Sequence, residues 1–348
     1  MTQALPFQPS APLTDSLRRE IKPAVLLGAL AVLLLVLIVA SLLIGRRSGE
    51  AASLMTLFDT DPQTAWLILS EVRLPRTALT VLVGASLGLS GAVLQGLLRN
   101  PLAEPALLGA SSSAALGAVI MFYFGISGTL AIALPLGGMA GTFLATALLF
   151  ALGGRAQDTL TLILAGVAIN SLTAALTSLA LNFAPNPYAA LEIIFWILGS
   201  FADRSMEHVW LALPPTLIGW AFLLSAGRAL DALTLGEDIA ATLGFDIPAV
   251  KRRAIIGAAF AIGAAVSVTG VISFVGLVVP HLLRPLVGYR PGRLLTASMF
   301  GGAALMTAAD IGVRLVDTGL ELKVGVVTAL IGAPFFLHLL MVLRRART

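Results

Sequence analysis

The feature that most constrains this chain is a series of long stretches without any Asp, Glu, Lys or Arg. Only 11% of its residues are charged, whereas a soluble domain has about 25%. A helix that spans a membrane needs about 20 apolar residues, and most of the stretches reach that length. The sequence therefore predicts an all-α, polytopic membrane protein. The uncharged stretches are 23–45, 77–98, 105–154, 159–191, 209–227, 254–283, 294–309 and 324–343.

The lengths of these stretches predict about ten transmembrane helices. Most of them hold one span each, and the stretch 105–154 is long enough for two, with a turn at 125–128. The stretch 254–283 is expected to hold one full span and one short span, separated near Gly270. The first stretch, 23–45, is too long for the apolar core of a signal peptide, and no small-residue cleavage site follows it. It is predicted to be a retained anchor.

The distribution of basic residues predicts the orientation. Ten spans place both termini on one side, and if that side is the cytoplasm, inner segments carry 15 of the 22 Lys and Arg residues. This bias agrees with the positive-inside rule. The expected organisation is a cytoplasmic tail over 1–22 and a single transmembrane domain over 23–345. The sequence has no cysteine, which excludes disulfides, thiol catalysis and metal sites built from Cys.

An acidic segment between the predicted sixth and seventh spans is unlike its surroundings. It reads LTLGEDIAATLGFD, over 233–246, and two glycines bracket about two helical turns. Its apolar pair, Ile239 and Leu243, is four residues apart, which is typical of a short amphipathic surface helix. The orientation above places this helix in the cytoplasm. Composition alone gives no reason for such a helix in so apolar a chain.

The second predicted span carries small residues at every fourth position. Gly84, Gly88, Ala92 and Gly96 form one stripe, and such stripes let helix backbones approach each other closely in lipid. Packing is the favoured interpretation, and it predicts a central helix.

Three polar side chains are expected at membrane depth. Gln95, Asn170 and Ser171 either bond to neighbouring helices or line a wet pathway. No predicted span has an Asp or Glu near its middle, although ion-coupled carriers usually need one.

Two further ionisable groups have ordinary structural interpretations. Asp310 and Arg314 have the i,i+4 spacing of a local salt bridge, expected near the outer end of the ninth span within reach of water. His281 is interpreted as an interface histidine with its hydrogen bonds satisfied rather than as a metal ligand. The chain also lacks the Gly-Lys pair of a P-loop, so any ATP hydrolysis would need another polypeptide.

Six segments of the chain together resemble the FecCD family of ABC importer permeases, in order, from about 25 to 345. This family imports ferric siderophores, haem and vitamin B12. The segments are RLPRTALTVLVGASLGLSGAVLQGLLRNPLAEPALLGASSSAALGAV (73–119), FWILGS (195–200), LTLGEDIAATLG (233–244), ISFVGLVVPHLLRPLVG (272–288), AADIGVR (308–314) and VGVVTALIGAPFFLHLL (324–340).

The resemblance implies the type II ABC importer permease fold, with ten spans, in a bacterial inner membrane. It also implies a homodimer, two cytoplasmic ATPase subunits, a periplasmic binding protein and a metal-chelate substrate. ATP and Mg²⁺ would bind the ATPase subunits, and this chain would bind no cofactor of its own, no metal and no nucleic acid.

The resemblance also assigns roles to particular residues. The region of about 228–246, which includes the acidic segment, is similar to the coupling helices that contact the ATPase. Outward arginines are expected to receive carboxylates of the binding protein, although they could merely anchor helix ends in the interface. The residues RNPLAEP are similar to a cytoplasmic gate, although Asn100-Pro101 could simply end a helix. The implied residues are Leu235, Gly236, Glu237, Asp238, Ala240, Leu243 and Gly244 for coupling, Arg73, Arg76 and Arg314 for docking, and Asn100, Leu102 and Thr159 for the gate. Gln95, Asn170 and Ser171, the polar residues expected at membrane depth, are the candidates for the translocation pathway.

The function predicted from all of this is import of a metal chelate, a ferric siderophore or haem. Cobalamin is the alternative substrate within the same class. A secondary carrier that works alone is the alternative of another class, and the missing carboxylate and the acidic cytoplasmic helix speak against it.

Overall fold

The computed structural model describes residues 22–45, 54–125, 132–153, 159–184, 186–316 and 322–345. Within these residues the chain is helical and has no β-strand. The predicted N-terminal tail, and most of the turn predicted at 125–128, lie outside the described residues.

Fifteen α-helices are found in the described part of the chain. The first half contains α1 (Pro23–Leu43), α2 (Leu54–Thr60), α3 (Pro62–Leu67), α4 (Leu74–Leu97), α5 (Ala110–Tyr123), α6 (Ala133–Gly153) and α7 (Thr159–Asn182). The second half contains α8 (Pro187–Ile197), α9 (Met206–Ser225), α10 (Gly227–Leu233), α11 (Glu237–Thr242), α12 (Ile247–Thr269), α13 (Val275–Leu283), α14 (Pro291–Leu315) and α15 (Val324–Arg345).

The prediction of an all-helical membrane protein is confirmed. Eight helices of the described chain are long and apolar enough to cross a membrane. The remaining two of the ten predicted spans correspond to shorter helices, α5 with 14 residues and α13 with nine. The break predicted near Gly270 is present, because α12 ends at Thr269 and Gly270 has a φ of 78°.

The small-residue stripe of α4 brings its backbone into direct contact with α14. A Cβ added at Gly84 would lie 2.4 Å from the Gly302 carbonyl oxygen, and one added at Gly88 would lie 2.2 Å from that of Ser298. Only a residue without a side chain fits at such distances, and close approach of this kind is how membrane helices gain packing energy. Every residue of α4 from Val83 to Gln95 is buried, so the predicted central position of this helix is confirmed.

A second central helix, α12, packs against α4, α5, α6 and α9. The chain then turns sharply through 270–274 into α13. Phe274, which precedes α13, has a φ of 69°, a conformation that is unfavourable for a bulky residue. A Cβ added at Gly332 of α15 would lie 2.2 Å from the Cβ of Phe274, so this glycine makes room for the turn.

We expect Gly88→Ala to destabilise the protein by about 1–3 kcal/mol, because the added methyl group overpacks the contact between α4 and α14. Gly312→Ala is the matched control, since it makes the same change on α14 with no atom within 4 Å. Thermal unfolding of the purified protein in detergent measures both. Equal melting temperatures for the two variants would contradict the assigned contact.

Candidate functional site

The acidic segment and the residues just before it fold as two short helices, α10 and α11, joined by a turn. Gly236 precedes α11 with a φ of 114°, and Glu237 and Asp238 occupy its first turn, where carboxylates interact favourably with the helix dipole. At the other end, Phe245 N–H donates to the Ala240 carbonyl and Gly244 N–H to that of Ala241. This pair of bonds is a Schellman motif, and Gly244, with a φ of 89°, supplies the required conformation.

Two carboxylates attach this segment to the central helices. Asp231 of α10 accepts a hydrogen bond of 2.7 Å from Gly292 N–H, at the start of α14. Glu237 of α11 forms an ion pair of 3.0 Å with Lys251 of α12. The Lys251 side chain is only 5% exposed. Reasoning from the sequence missed Lys251 and Asp231, because neither lies at a spacing that marks a helix pair.

The surface of α11 and its flanks is unusually apolar for a segment with this charge. Leu235 is 60% exposed, Ile239 48% and Leu243 60%, whereas Ala240 is fully buried against the protein. A cleft of about 400 Å³ lies beside them, with Leu243, Phe245, Arg228 and Arg253 among its lining residues. Apolar side chains next to charged ones are found at surfaces that contact a protein, a ligand or a membrane.

The predicted gate residues lie in the connection between α4 and α5. Asn100 Oδ1 accepts a hydrogen bond of 2.9 Å from Leu102 N–H, so the side chain of Asn100 closes a turn that ends α4. This agrees with the interpretation that Asn100-Pro101 ends a helix. The gating role of Asn100 and Leu102 stays a prediction. Thr159, the other expected gate residue, is the first residue of α7.

The same connection contains a carboxylate that the sequence analysis did not single out. Glu104 Oε1 accepts a hydrogen bond of 2.5 Å from Phe274 N–H, at the start of α13. Burial raises the pKa of the Glu104 carboxyl, and the hydrogen bond from Phe274 acts in the opposite direction. Glu104 therefore joins the loop that holds the predicted gate to the strained turn before α13. The quoted motif RNPLAEP contained this residue, but its partner lies 170 positions away.

The three polar residues expected at membrane depth fall into two groups. Gln95 is buried, donates to the carbonyls of Gly276 and Leu277 on α13, and accepts a hydrogen bond from Arg284. It bonds to a neighbouring helix, which is one of the two alternatives. Asn170 and Ser171 are exposed on the surface of α7. This position is the one required by the other alternative, in which they line a wet pathway.

Of the three arginines expected to face outward, Arg73 and Arg314 are buried and Arg76 is partly exposed. Arg73 donates to the Leu42 and Leu43 carbonyls at 2.8 and 2.7 Å, and therefore caps the end of α1. Arg76, whose side chain is 13% exposed, makes a two-nitrogen contact with the Asp310 carboxylate. Arg314 pairs with the same carboxylate at 3.1 Å and donates to the Ser41 and Ile44 carbonyls. Together these side chains hold the C-terminal ends of α1 and α14 against the start of α4.

Two expectations about this region need correction. The local salt bridge between Asp310 and Arg314 is present, but Asp310 is completely buried, and water does not reach it. The reason is that α1 and α4 cover this face of α14. His281 lies at an interface, with its ring 5.6 Å from that of Phe335, but its Nδ1 is buried without a hydrogen-bond partner among the described residues. The described part of the chain has no cluster of potential metal ligands.

We expect Asp310→Asn to lower the free energy of unfolding by about 3–5 kcal/mol, because it leaves two buried guanidinium groups without their counter-charge. Asp59→Asn, a change at an exposed carboxylate of α2, is the control. Chemical or thermal unfolding in detergent measures the difference. A variant at Asp310 as stable as the control would show that the arginines do not depend on this carboxylate.

We expect Glu104→Gln to remove a pH-dependent part of the stability. Folding raises the pKa of this carboxyl, so its contribution is greatest below the unfolded-state pKa and is lost as pH rises through the folded-state pKa. Wild type should therefore lose stability relative to Glu104→Gln from about pH 4 upward. Melting temperatures across this range measure it, with Glu207→Gln, at an exposed position, as the control. Parallel curves for wild type and Glu104→Gln would refute the assignment.

Comparison with known proteins gives one consistent result. The sequence model of the FecCD transport family matches residues 33–342. The cobalamin import system permease protein BtuC of Halobacterium salinarum is 41% identical over 282 residues, which cover 80% of this chain and 74% of that protein. The hemin transport system permease protein HmuU of Yersinia pestis is 37% identical over 338 residues, covering 94% of this chain and 99% of that protein.

A solved structure agrees with these relatives. It is an inward-facing conformation of a metal-chelate type ABC transporter, and it superimposes with a TM-score of 0.81 at 34% identity, covering 90% of this chain and 98% of that chain. The match of the family model over most of the sequence is therefore supported by the fold. This protein is a multi-pass membrane protein of the FecCD transport family, the permeases of ABC importers.

Proposed function

We propose that this chain is the permease subunit of an ATP-driven importer, and that α10 and α11 carry the force of ATP hydrolysis into the membrane helices. The observation that supports this most directly is the exposed apolar group on α11 and its flanks, Leu235, Ile239 and Leu243. Exposed leucines within a short, acid-capped segment lose favourable burial energy unless a partner covers them. A soluble ATPase subunit is the partner that an importer supplies at this position.

The chemistry around α11 favours an ATPase that presents both apolar and acidic groups. The neighbouring cleft contains Arg228 and Arg253 together with the apolar Phe245. A carboxylate of the partner could therefore pair with an arginine while an apolar side chain of the partner packs against Phe245. The orientation in which α11 and both termini are cytoplasmic, within the bacterial inner membrane, is part of this proposal. ATP and Mg²⁺ would be held by two such ATPase subunits.

A second copy of the chain is proposed to cover α7. This helix exposes large apolar residues along its length, among them Leu164, Leu172 and Leu176, which lipid alone could cover. It also exposes Asn170 and Ser171. The Ser171 hydroxyl donates to the Val167 carbonyl of the same helix at 3.0 Å, but an amide that faces lipid, such as that of Asn170, is costly. A homodimer with a wet pathway between its copies would satisfy both kinds of residue, and Asn100, Leu102 and Thr159 would then lie toward its inner mouth.

The opposite end of the bundle is proposed to receive a periplasmic binding protein. Three arginines, Arg73, Arg76 and Arg314, lie close together where α1, α4 and α14 meet. Since Arg73 and Arg314 are buried, they would act on an acidic partner mainly through long-range attraction. Arg76, whose side chain is the most exposed of the three, is the best candidate for direct contact.

The proposed substrate is a metal chelate, a ferric siderophore or haem, with cobalamin as the second candidate. The similarity to a hemin permease over nearly the whole chain supports the first, and the higher identity to a cobalamin permease supports the second. A carrier that works alone is less well supported. The buried carboxylate of α14, Asp310, is engaged by two arginines, so it is not free to bind a transported proton.

We expect Leu235→Glu and Leu243→Glu to prevent the ATPase subunit from co-purifying with the permease, because each places a charge in the apolar contact. The melting temperature of the isolated permease should not change, since both side chains are exposed. Co-purification from cells that express both subunits measures the loss.

Ala241→Glu is the matched control. It adds the same charge at an exposed position of α11, outside the apolar group of Leu235, Ile239 and Leu243. The ATPase should still co-purify with it. If the ATPase binds all three variants as it binds wild type, α11 is not the docking element, and the proposed role of this segment is wrong.

A further inference from the structure

The ion pair between Glu237 and Lys251 is unusual because its two ends differ in environment. The Glu237 side chain is 41% exposed, whereas that of Lys251 is 5% exposed, with an Nζ–Oε1 distance of 3.0 Å. An ordinary surface pair contributes little, since water screens both groups. A buried ammonium that loses its counter-charge, in contrast, is strongly unfavourable. The structure thus gives Lys251 a strong preference for keeping Glu237, and with it α11, in one position.

The remaining contacts of α11 are few. Ala240 is buried beneath it, while Gly236 and Gly244 at its two ends have no atom within 4 Å of an added Cβ. Both glycines have a positive φ, and the Schellman motif holds Gly244 in place. Besides the short connection over 243–246 and the buried Ala240, the ion pair attaches the side of this six-residue helix to α12.

We propose that Lys251 is a positioning residue for energy coupling, which binds α11 to α12 through Glu237 so that displacement of α11 moves α12. This rests on the proposed docking of an ATPase at α11. It differs from a direct role of Glu237 in docking, because the carboxylate faces Lys251 of its own chain. The second attachment, Asp231 to the first turn of α14, keeps the segment in place when the ion pair is broken.

The ion pair can influence the membrane helices because Lys251 belongs to α12, which is a central helix. Lys251 lies in the second turn of α12, and the other end of this helix leads into Gly270 and the turn before α13. α12 packs against α4, α5, α6 and α9. A force applied at Lys251 therefore reaches a helix in contact with four others, rather than a peripheral one.

A charge exchange tests this inference. The full permease–ATPase complex is placed in lipid nanodiscs, and an environment-sensitive dye is attached at Leu282→Cys on α13, a residue that is exposed in a chain without native cysteine. The change in fluorescence on addition of ATP and vanadate reports movement of the membrane helices. We expect Glu237→Lys and Lys251→Glu each to reduce this change about fivefold, within the usual range of coupling between sites, while the ATPase still co-purifies.

The double variant Glu237→Lys with Lys251→Glu restores the pair in reverse and should restore most of the response. Lys251→Arg should keep it. Arg252→Glu is the matched control, because it reverses the charge of the adjacent, exposed residue and should leave the response intact.

If a single charge reversal fails to fold, the neutral pair Glu237→Gln with Lys251→Met replaces it, since it leaves no buried charge unpaired. This variant should fold, bind the ATPase and remain unresponsive. A normal response in the neutral pair, or no recovery in a folded and ATPase-bound charge exchange, would overturn the inference. Failure of the ATPase to co-purify with wild type would instead refute the proposed function.

Discussion

The direct backbone contact between α4 and α14 is the constraint on which the rest of this structure depends. At Gly84 and Gly88 the two helices are too close for any side chain between them. This contact aligns the ends of both helices, so that Arg76 at the start of α4 meets Asp310 of α14. In a medium that cannot hydrate charges, an ion pair forms only where packing has already placed both partners. The polar contacts at the start of α4 therefore follow from the apolar contact in its middle.

The spans could be predicted from the sequence because hydropathy is a local property, and each uncharged stretch reports its own helix. The stripe of Gly84 and Gly88 was likewise readable, since its period is that of a single helix. The burial of Asp310 could not be predicted, because it depends on α1 and α4 covering the C-terminal end of α14. Water was expected at that position because helix ends usually reach it. Here Arg73 and Arg314 close the end of α1 over the site instead.

The acidic segment shows the same division between local and non-local information. Its glycines, its first-turn carboxylates and its short length are local features. They were enough to predict a short surface helix between the sixth and seventh spans. The partner of Glu237 was not predicted, because Lys251 lies 14 residues away, beyond a turn whose direction the sequence does not reveal. Glu104 and Phe274, 170 residues apart, are a more extreme case. Residue types could mark each of these as charged or strained, but only the fold shows which groups meet.

These contacts together form a continuous connection from α11 to the loop between α4 and α5. Lys251 attaches α11 to one end of α12, and the other end of α12 leads through Gly270 to the strained turn at Phe274. Phe274 is held by Glu104, in the same loop as Asn100 and Leu102. Continuity alone does not establish coupling, which needs an element with two arrangements. In the turn at 270–274, Phe274 combines an unfavourable backbone conformation with two contacts, its hydrogen bond to Glu104 and the close approach of Gly332. This turn is therefore the part of the connection where local strain coincides with contacts to other elements.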